Sequence, residues 1–187
     1  MALVVFLRGV NVGGHRRFRP SALAAELKHL GAVNIGAAGT FVIQSRITRA
    51  KLRAELARRL PFETSIAICD ARDIATLVDS EPYAHERARP DVVRFISVLT
   101  GSPRMTPALP MTFPRRGTWL VRILARDRRF IVGQYRRHMK TIGLLGRVDG
   151  VFGVPVTTRS WNTIVAIAET VKEQGTIRRT QCVKSMK

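Results

Sequence analysis

The stretch Leu3–Arg19, LVVFLRGVNVGGHRRFR, sets the reading of the whole chain. Leu3, Val5 and Leu7 fall on one face of a strand and Val4 and Phe6 on the other. A strand apolar on both faces belongs in the middle of a sheet that is covered on both sides. The run then breaks into a glycine-containing loop, Arg8 to His15, and arginines lead to Pro20, a residue suited to the first turn of a helix. Glycines let backbone N–H groups converge, and a following helix start adds partial positive charge. Strand, loop and helix start together suit an anion.

Working outward, Leu23, Leu27 and Leu30 follow at helical spacing, and Gly31 ends that helix. Val33–Ile35 and Thr40–Gln44 read as strands around the turn Gly36–Gly39. Thr48 caps a second helix with Leu52, Leu56 and Leu60 inward, and Ser65–Cys69 is a fourth strand. The order β-α-β-β-α-β is the ferredoxin-like plan. Asp70 and Asp73 read as capping groups of a further helix, with a catalytic pair as the alternative.

The second half reads as a degenerate copy. Val92–Leu99 is a strand, and Gly101–Pro114 is a proline-rich loop. Trp119–Ala125 and Arg129–Gly133 form a hairpin across Arg126-Asp127-Arg128, and a helix begins near Gln134. Val151–Thr158 is irregular, and Ile164, Ile167, Ala168 and Val171 line a last helix. The fold class is therefore α+β, two ferredoxin-like (βαββαβ) halves with the second degenerate. The halves span residues 1–80 and 81–175, followed by a loose basic tail, 176–187. Their two sheets could face each other or extend side by side. Phe6 and Phe41 could imitate the stacking platform of an RNA-recognition motif, but no basic-aromatic signature surrounds Phe41, and core packing is the preferred reading.

Composition narrows the function classes. A chain of 187 residues with 45% hydrophobic content can bury a core. No apolar run approaches the ~20 residues of a membrane span, and no signal peptide is legible, so the expected address is the cytoplasm. Thirty-two basic against 13 acidic residues give a net charge of +19, which makes nucleic acid or another polyanion the first partner to consider. The arginines are scattered along the chain, and scattered charge gives salt-sensitive association without a dedicated site.

Two stretches are candidate sites. Arg8, Asn11, Gly13, Gly14 and Arg16 belong to the glycine loop, with Arg17 and His15 beside them. This loop lacks the Gly-Lys-Ser/Thr ending of a Walker loop and the spacing of a GxGxxG fingerprint, so a structural turn braced by Asn11 stays open as its role. Thr157-Thr158-Arg159-Ser160-Trp161-Asn162-Thr163 precedes the last helix. Its hydroxyls suit helix capping and Trp161 an anchor, while Arg159, Asn162 and Thr163 could present donors to an anion. His29, His85 and His138 lack metal-ligand spacing, Cys69 and Cys182 belong to no CxxC, and neither Ser45 nor Ser160 sits in a nucleophile elbow. No metal or cofactor is expected.

The chain resembles the uncharacterised bacterial family called domain of unknown function 1697. The resemblance rests on Leu7–Gly14 (LRGVNVGG), Gly36–Ile43 (GAAGTFVI), Phe152-Gly153-Val154-Pro155 and Thr157–Thr163 (TTRSWNT), in that order. It implies a cytoplasmic protein of two ferredoxin-like halves and no established activity. Many relatives read Ser-Gly-Asn where this chain has Ala38-Gly39-Thr40, and Asn in place of Ser160. Arg8, Asn11, Gly13, Gly14, Arg159, Trp161, Asn162 and Thr163 match. The leading expectation is a module binding a small anionic ligand or nucleic acid where the two motifs meet. A small-molecule enzyme using His15 or Asn162, and a structural or self-associating protein, are the alternatives.

Overall fold

The computed structural model describes residues 2–11 and 18–184, backbone alone from residue 174 onward. In chain order the elements of the first half are β1 (Leu3–Leu7), α1 (Pro20–Glu26), β2 (Ala32–Asn34), β3 (Thr40–Ile43), α2 (Arg49–Arg59), β4 (Ile66–Asp70) and α3 (Ala71–Asp79). Then follow β5 (Val92–Leu99), β6 (Met111–Phe113), β7 (Val121–Asp127), β8 (Phe130–Arg136), α4 (Thr141–Leu145), α5 (Val148–Phe152), β9 (Val156–Ser160) and α6 (Trp161–Lys184).

The strands form two antiparallel sheets, one ordered β2-β3-β1-β4 and the other β6-β7-β8-β5-β9. With β6 set aside, the second order, β7-β8-β5-β9, repeats the first position by position. Each pairing is antiparallel in both: β1 with β3 and β4, β5 with β8 and β9. The segment from Thr100 to Pro110 stands where α1 stands, and α4 with α5 where α2 stands. In both halves the last strand runs directly into a helix, β4 into α3 and β9 into α6.

The double-sided character of β1 has its expected cause. Val4 and Phe6 enter a core that also holds Ile96, Val98, Phe130 and Val132 from the second sheet. Ile74 and Leu77 of α3 and Ile164 and Ile167 of α6 fill the same core, so the two sheets share an interior. Leu3, Val5 and Leu7 point the other way, onto Leu23 and Leu27 of the α1 segment and Leu52 and Leu56 of α2. A third core, around Phe95, Ile123 and Phe152, lies on the far side of the second sheet. Phe6 and Phe41 are both fully buried, which removes any base-stacking platform from the first sheet.

Local signals explain most of the first half. Gly31 ends the α1 segment with φ +62°, and Thr48 Oγ1 accepts the Lys51 N–H at 3.2 Å to start α2. Asp70 stands before α3 but makes no capping bond; its carboxylate takes the Arg49 guanidinium at 2.6 Å instead. The capping role expected of it is thus replaced by an ion pair.

The second half departs further. The hairpin turns at Arg128 and Arg129, one step later than expected, with Arg128 at φ +49°. No helix starts at Gln134: β8 continues to Arg136, and the Gln134 side chain is buried within it. Gly133 interrupts the pattern because the Phe95 ring fills its side-chain space; a Cβ there would lie 2.3 Å from Phe95 Cζ. The stretch Val151–Thr158, expected to be irregular, contains the end of α5 and the start of β9. Helix α6 runs to Lys184, through most of the segment read as a loose tail.

Candidate functional site

The first motif leaves β1 at Leu7. Arg8 N–H donates to the Ser65 carbonyl at 3.0 Å, and Thr64 Oγ1 donates to the Arg8 carbonyl at 2.6 Å, so the exit from the strand is fixed. Gly9 turns the chain with φ +61°, and Asn11 holds φ +56°. The Asn11 side chain accepts the Phe18 N–H at 3.0 Å and donates to the carbonyls of Phe18 at 3.1 Å and Ala37 at 2.9 Å. It therefore ties both ends of the loop to the β2–β3 turn. Gly13, Gly14, His15, Arg16 and Arg17 lie outside the described residues.

The second motif supplies Arg159, which is 6% exposed. Its Nε donates to Thr40 Oγ1 at 2.7 Å, and its Nη1 to Thr157 Oγ1 at 2.9 Å and the Thr158 carbonyl at 2.8 Å. Its Nη2 donates to the carbonyls of Leu7 at 2.8 Å and Ala38 at 2.6 Å. All five N–H donors of the guanidinium are thereby used, and the group lies 5.8 Å from the Phe6 ring centre. No carboxylate among the described residues pairs with it. Burial pushes its pKa down to about 10, which leaves it charged at neutral pH.

Arg8 and Arg159 share the wall of a recess of about 510 Å³ between the halves. Arg8 Nε donates to the Val156 carbonyl at 3.1 Å, and its Nη2 pairs with Asp149. Asp149 accepts the Val156 N–H at 2.9 Å, so this carboxylate positions both Arg8 and β9. Arg8 Nη1 has no bonded partner among the described residues, and the Arg8 side chain is 40% exposed. Phe95, Tyr135 and Ile142 supply the apolar wall.

The remaining predicted residues face elsewhere. Trp161 packs edge-on against Tyr83, with ring centres 5.2 Å apart, and is half-buried. Thr163 Oγ1 meets Ser160 Oγ at 3.0 Å, and Ser160 Oγ accepts the Thr163 N–H at 3.4 Å, which caps α6. Trp161 and the exposed Asn162 line a second recess, of about 350 Å³, among Arg87, Arg94 and Arg137. The two motifs therefore meet through Arg8, Thr157 and Arg159, while Trp161 and Asn162 belong to a different surface.

Sequence reasoning missed Asp149 and Tyr135. Asp149 stands three residues before Phe152-Gly153-Val154-Pro155, and its place beside a family motif was the available signal. Tyr135 was masked by reading its strand as a helix. His29, His85 and His138 are exposed and away from the recess. Among the described residues no three His, Cys, Asp or Glu side chains are grouped as a metal would need. No helix among them is long and apolar enough to cross a membrane.

Comparison with known proteins agrees with this architecture. A family model described as protein of unknown function (DUF1697) matches residues 1–109, which includes the glycine-loop motif and stops short of Thr157–Thr163. A solved structure of the conserved bacterial protein SP0830 from Streptococcus pneumoniae aligns with a TM-score of 0.57 at 15% identity. The alignment covers 90% of this chain and 97% of that one, so the likeness of fold extends over both halves. No curated protein matches the chain.

Proposed function

We propose, for a chain that belongs to the DUF1697 family of proteins of unknown function, that it is a binding module for a small phosphate-bearing anion. We read its two halves, residues 1–80 and 81–175, as ferredoxin-like, because the first sheet has the β2-β3-β1-β4 order that a βαββαβ chain produces and β7-β8-β5-β9 of the second repeats it. The ligand would lie in the recess where they meet.

One observation carries this reading. Arg159 is a buried cation with no carboxylate partner among the described residues, on the wall of a recess that also exposes Arg8. Its donors are spent on the protein, so its contribution to a ligand is charge. At an effective dielectric of ~20, a unit charge ~7 Å away is worth about 2 kcal/mol to an anion. Arg8 Nη1 would supply the direct hydrogen bond, and Tyr135 and Ile142 an apolar surface for the rest of the ligand.

The test is thermal unfolding with inorganic phosphate, pyrophosphate, adenosine monophosphate and citrate. A probe at a hundred times its Kd adds about 2.7 kcal/mol, which for a chain of this size raises the midpoint by roughly 5–10 °C. Arg8→Gln should remove that rise. No shift with any probe at millimolar concentration, or the same shift in Arg8→Gln, would sink the reading.

A second reading has its own support. The complete use of the Arg159 donors is what a purely structural lock between the halves requires. That reading predicts no ligand response and a large loss of stability on truncating Arg159. The enzyme alternative has less: Asn162 faces away from the recess, and His15 lies outside the described residues.

A further inference from the structure

We infer that the end of the second sheet where β5 and β7 begin and β8 ends is a binding surface for single-stranded nucleic acid. It adjoins the Arg8–Arg159 recess at Ser160 but is built from other arginines and does not depend on a ligand there.

Topology gathers this surface from stretches remote in sequence. Val92 pairs with Arg136, Val121 with Tyr135, Phe113 with Val121, and Phe95 with Ser160. That register brings the connector before β5, the β6–β7 loop, the end of β8 and the start of α6 to one end of the sheet. The connector contributes Arg87 and Arg89, and β5 contributes Arg94. The β6–β7 loop adds Arg115 and Arg116, and β8 ends in Arg136 and Arg137. Against these stand Glu86, paired with Arg122 at 3.3 Å, and Asp91, paired with Arg89 at 3.1 Å. The hydrogen bonds from Arg89 hold the Asp91 carboxyl below the usual range.

The charge left over is displayed. Arg87, Arg115, Arg116 and Arg137 are exposed and carry no ion pair with any described residue. Both tryptophans of the chain are here as well. Trp119 is half-buried with the Arg136 guanidinium 4.8 Å from its ring centre, and Trp161 lines the 350 Å³ recess with Arg87, Arg94 and Arg137. Cations tracking a backbone beside aromatic faces are the means by which proteins hold single strands with little sequence preference. The first turn of α6 has no acidic residue to repel a phosphate. What sets this end of the sheet apart is that unpaired arginines gather beside both tryptophans; in the first half Arg49 pairs with Asp70, Arg58 and Arg59 share Glu55, and the exposed Arg46 and Arg72 have no tryptophan near them in sequence.

The experiment is fluorescence anisotropy of the full chain with labelled oligothymidylate and oligouridylate, near physiological salt and across a salt series. Arg87→Gln/Arg137→Gln should weaken binding about tenfold and reduce the log–log salt slope by roughly 1.4, since each phosphate contact on a single strand contributes ~0.7. The charge-matched control Arg46→Gln/Arg72→Gln, at exposed positions of the first half, should change affinity less than twofold. Trp119→Leu should weaken binding at least fivefold, with its unfolding midpoint measured alongside. Equal losses in patch and control variants, no binding near physiological salt, or full affinity in Trp119→Leu would each overturn the inference.

Discussion

Strands β4 and β9 hold the same place in the two sheets, and each passes straight into a helix of the shared core, yet they are built from opposite materials. β4 reads IAICD and buries its first four residues in apolar surroundings. β9 reads VTTRS and buries a threonine and an arginine. At matching positions before the helix, Cys69 and Arg159 are both enclosed. Cys69 has its thiol pushed up to about 12 by burial and stays inert, whereas Arg159 binds the carbonyls of Leu7 and Ala38 from the other half. The difference shows what each strand has to do. The buried side chains of β4 only pack, and it is the Ile68 carbonyl that takes Arg129 Nη1 from the other half at 2.6 Å; β9 instead sends a side chain to the ends of β1 and of the β2–β3 turn, whose carbonyls need donors.

The corners after these strands differ in the same sense. Asp70 at the first takes Arg49 as its partner, and Asp73 adds a second acid in the opening turn of α3. Ser160 at the second is neutral, and Arg94 and Arg137 stand around it without a carboxylate of their own. One corner is balanced from within and the other has charge to offer.

The hardest way to break this comparison is at Arg159. Arg159→Leu takes the guanidinium from Thr40, Ala38 and Leu7, of which Leu7 keeps Thr157 Oγ1, at ~1–3 kcal/mol for each buried group left unsatisfied. The expected loss is about 3–5 kcal/mol in urea unfolding. Arg159→Lys should recover less than half, because an ammonium cannot reproduce the planar fork that reaches partners on several sides. A loss under ~1 kcal/mol would mean the junction does not depend on this side chain.

That contrast also explains which parts of the molecule could be read in the sequence. β4 was legible because Ile66, Ala67, Ile68 and Cys69 form an apolar run, and β1 because its two faces serve two cores. β9 was hidden because its buried positions carry polar side chains that bond across the junction, so the hydrophobic pattern disappears where the halves meet. β8 was cut short at Gly133 and Gln134 for a related reason: the glycine makes room for Phe95, a need set by another strand. Arg8 and Arg159, from two motifs far apart in sequence, stand on one wall, but the sequence could not show that Arg159 spends its donors on carbonyls and hydroxyls of the chain. Nor could it show that Trp161 and Asn162, two and three residues on, turn to another surface.

Trp161 tests the second corner at intermediate strength. Its counterpart after β4 is Ala71, so Trp161→Ala gives this corner the composition of the first. The ring is half-buried against Tyr83, and truncation should cost about 2 kcal/mol, below the 3–5 kcal/mol of a fully enclosed large side chain. The unfolding midpoint should fall by roughly 4–8 °C. An unchanged midpoint would show that the contact with Tyr83 is incidental.

The smallest change should be the most informative, since it gives the second corner what the first already has. Ser160→Asp places a carboxylate at the start of α6, where the helix N-terminus and the arginines beside it both favour negative charge. Aspartate caps as well as serine, so the Thr163 N–H keeps an acceptor. Stability should rise by about 0.5–1 kcal/mol. The same carboxylate should compete with any external phosphate, and oligonucleotide affinity should fall several-fold. If stability rises and oligonucleotide binding is untouched, the arginines around α6 are surface charge and the resemblance between the corners ends with the backbone. If both move together, the anion that Asp70 supplies to one half is the anion that the other half takes from solution.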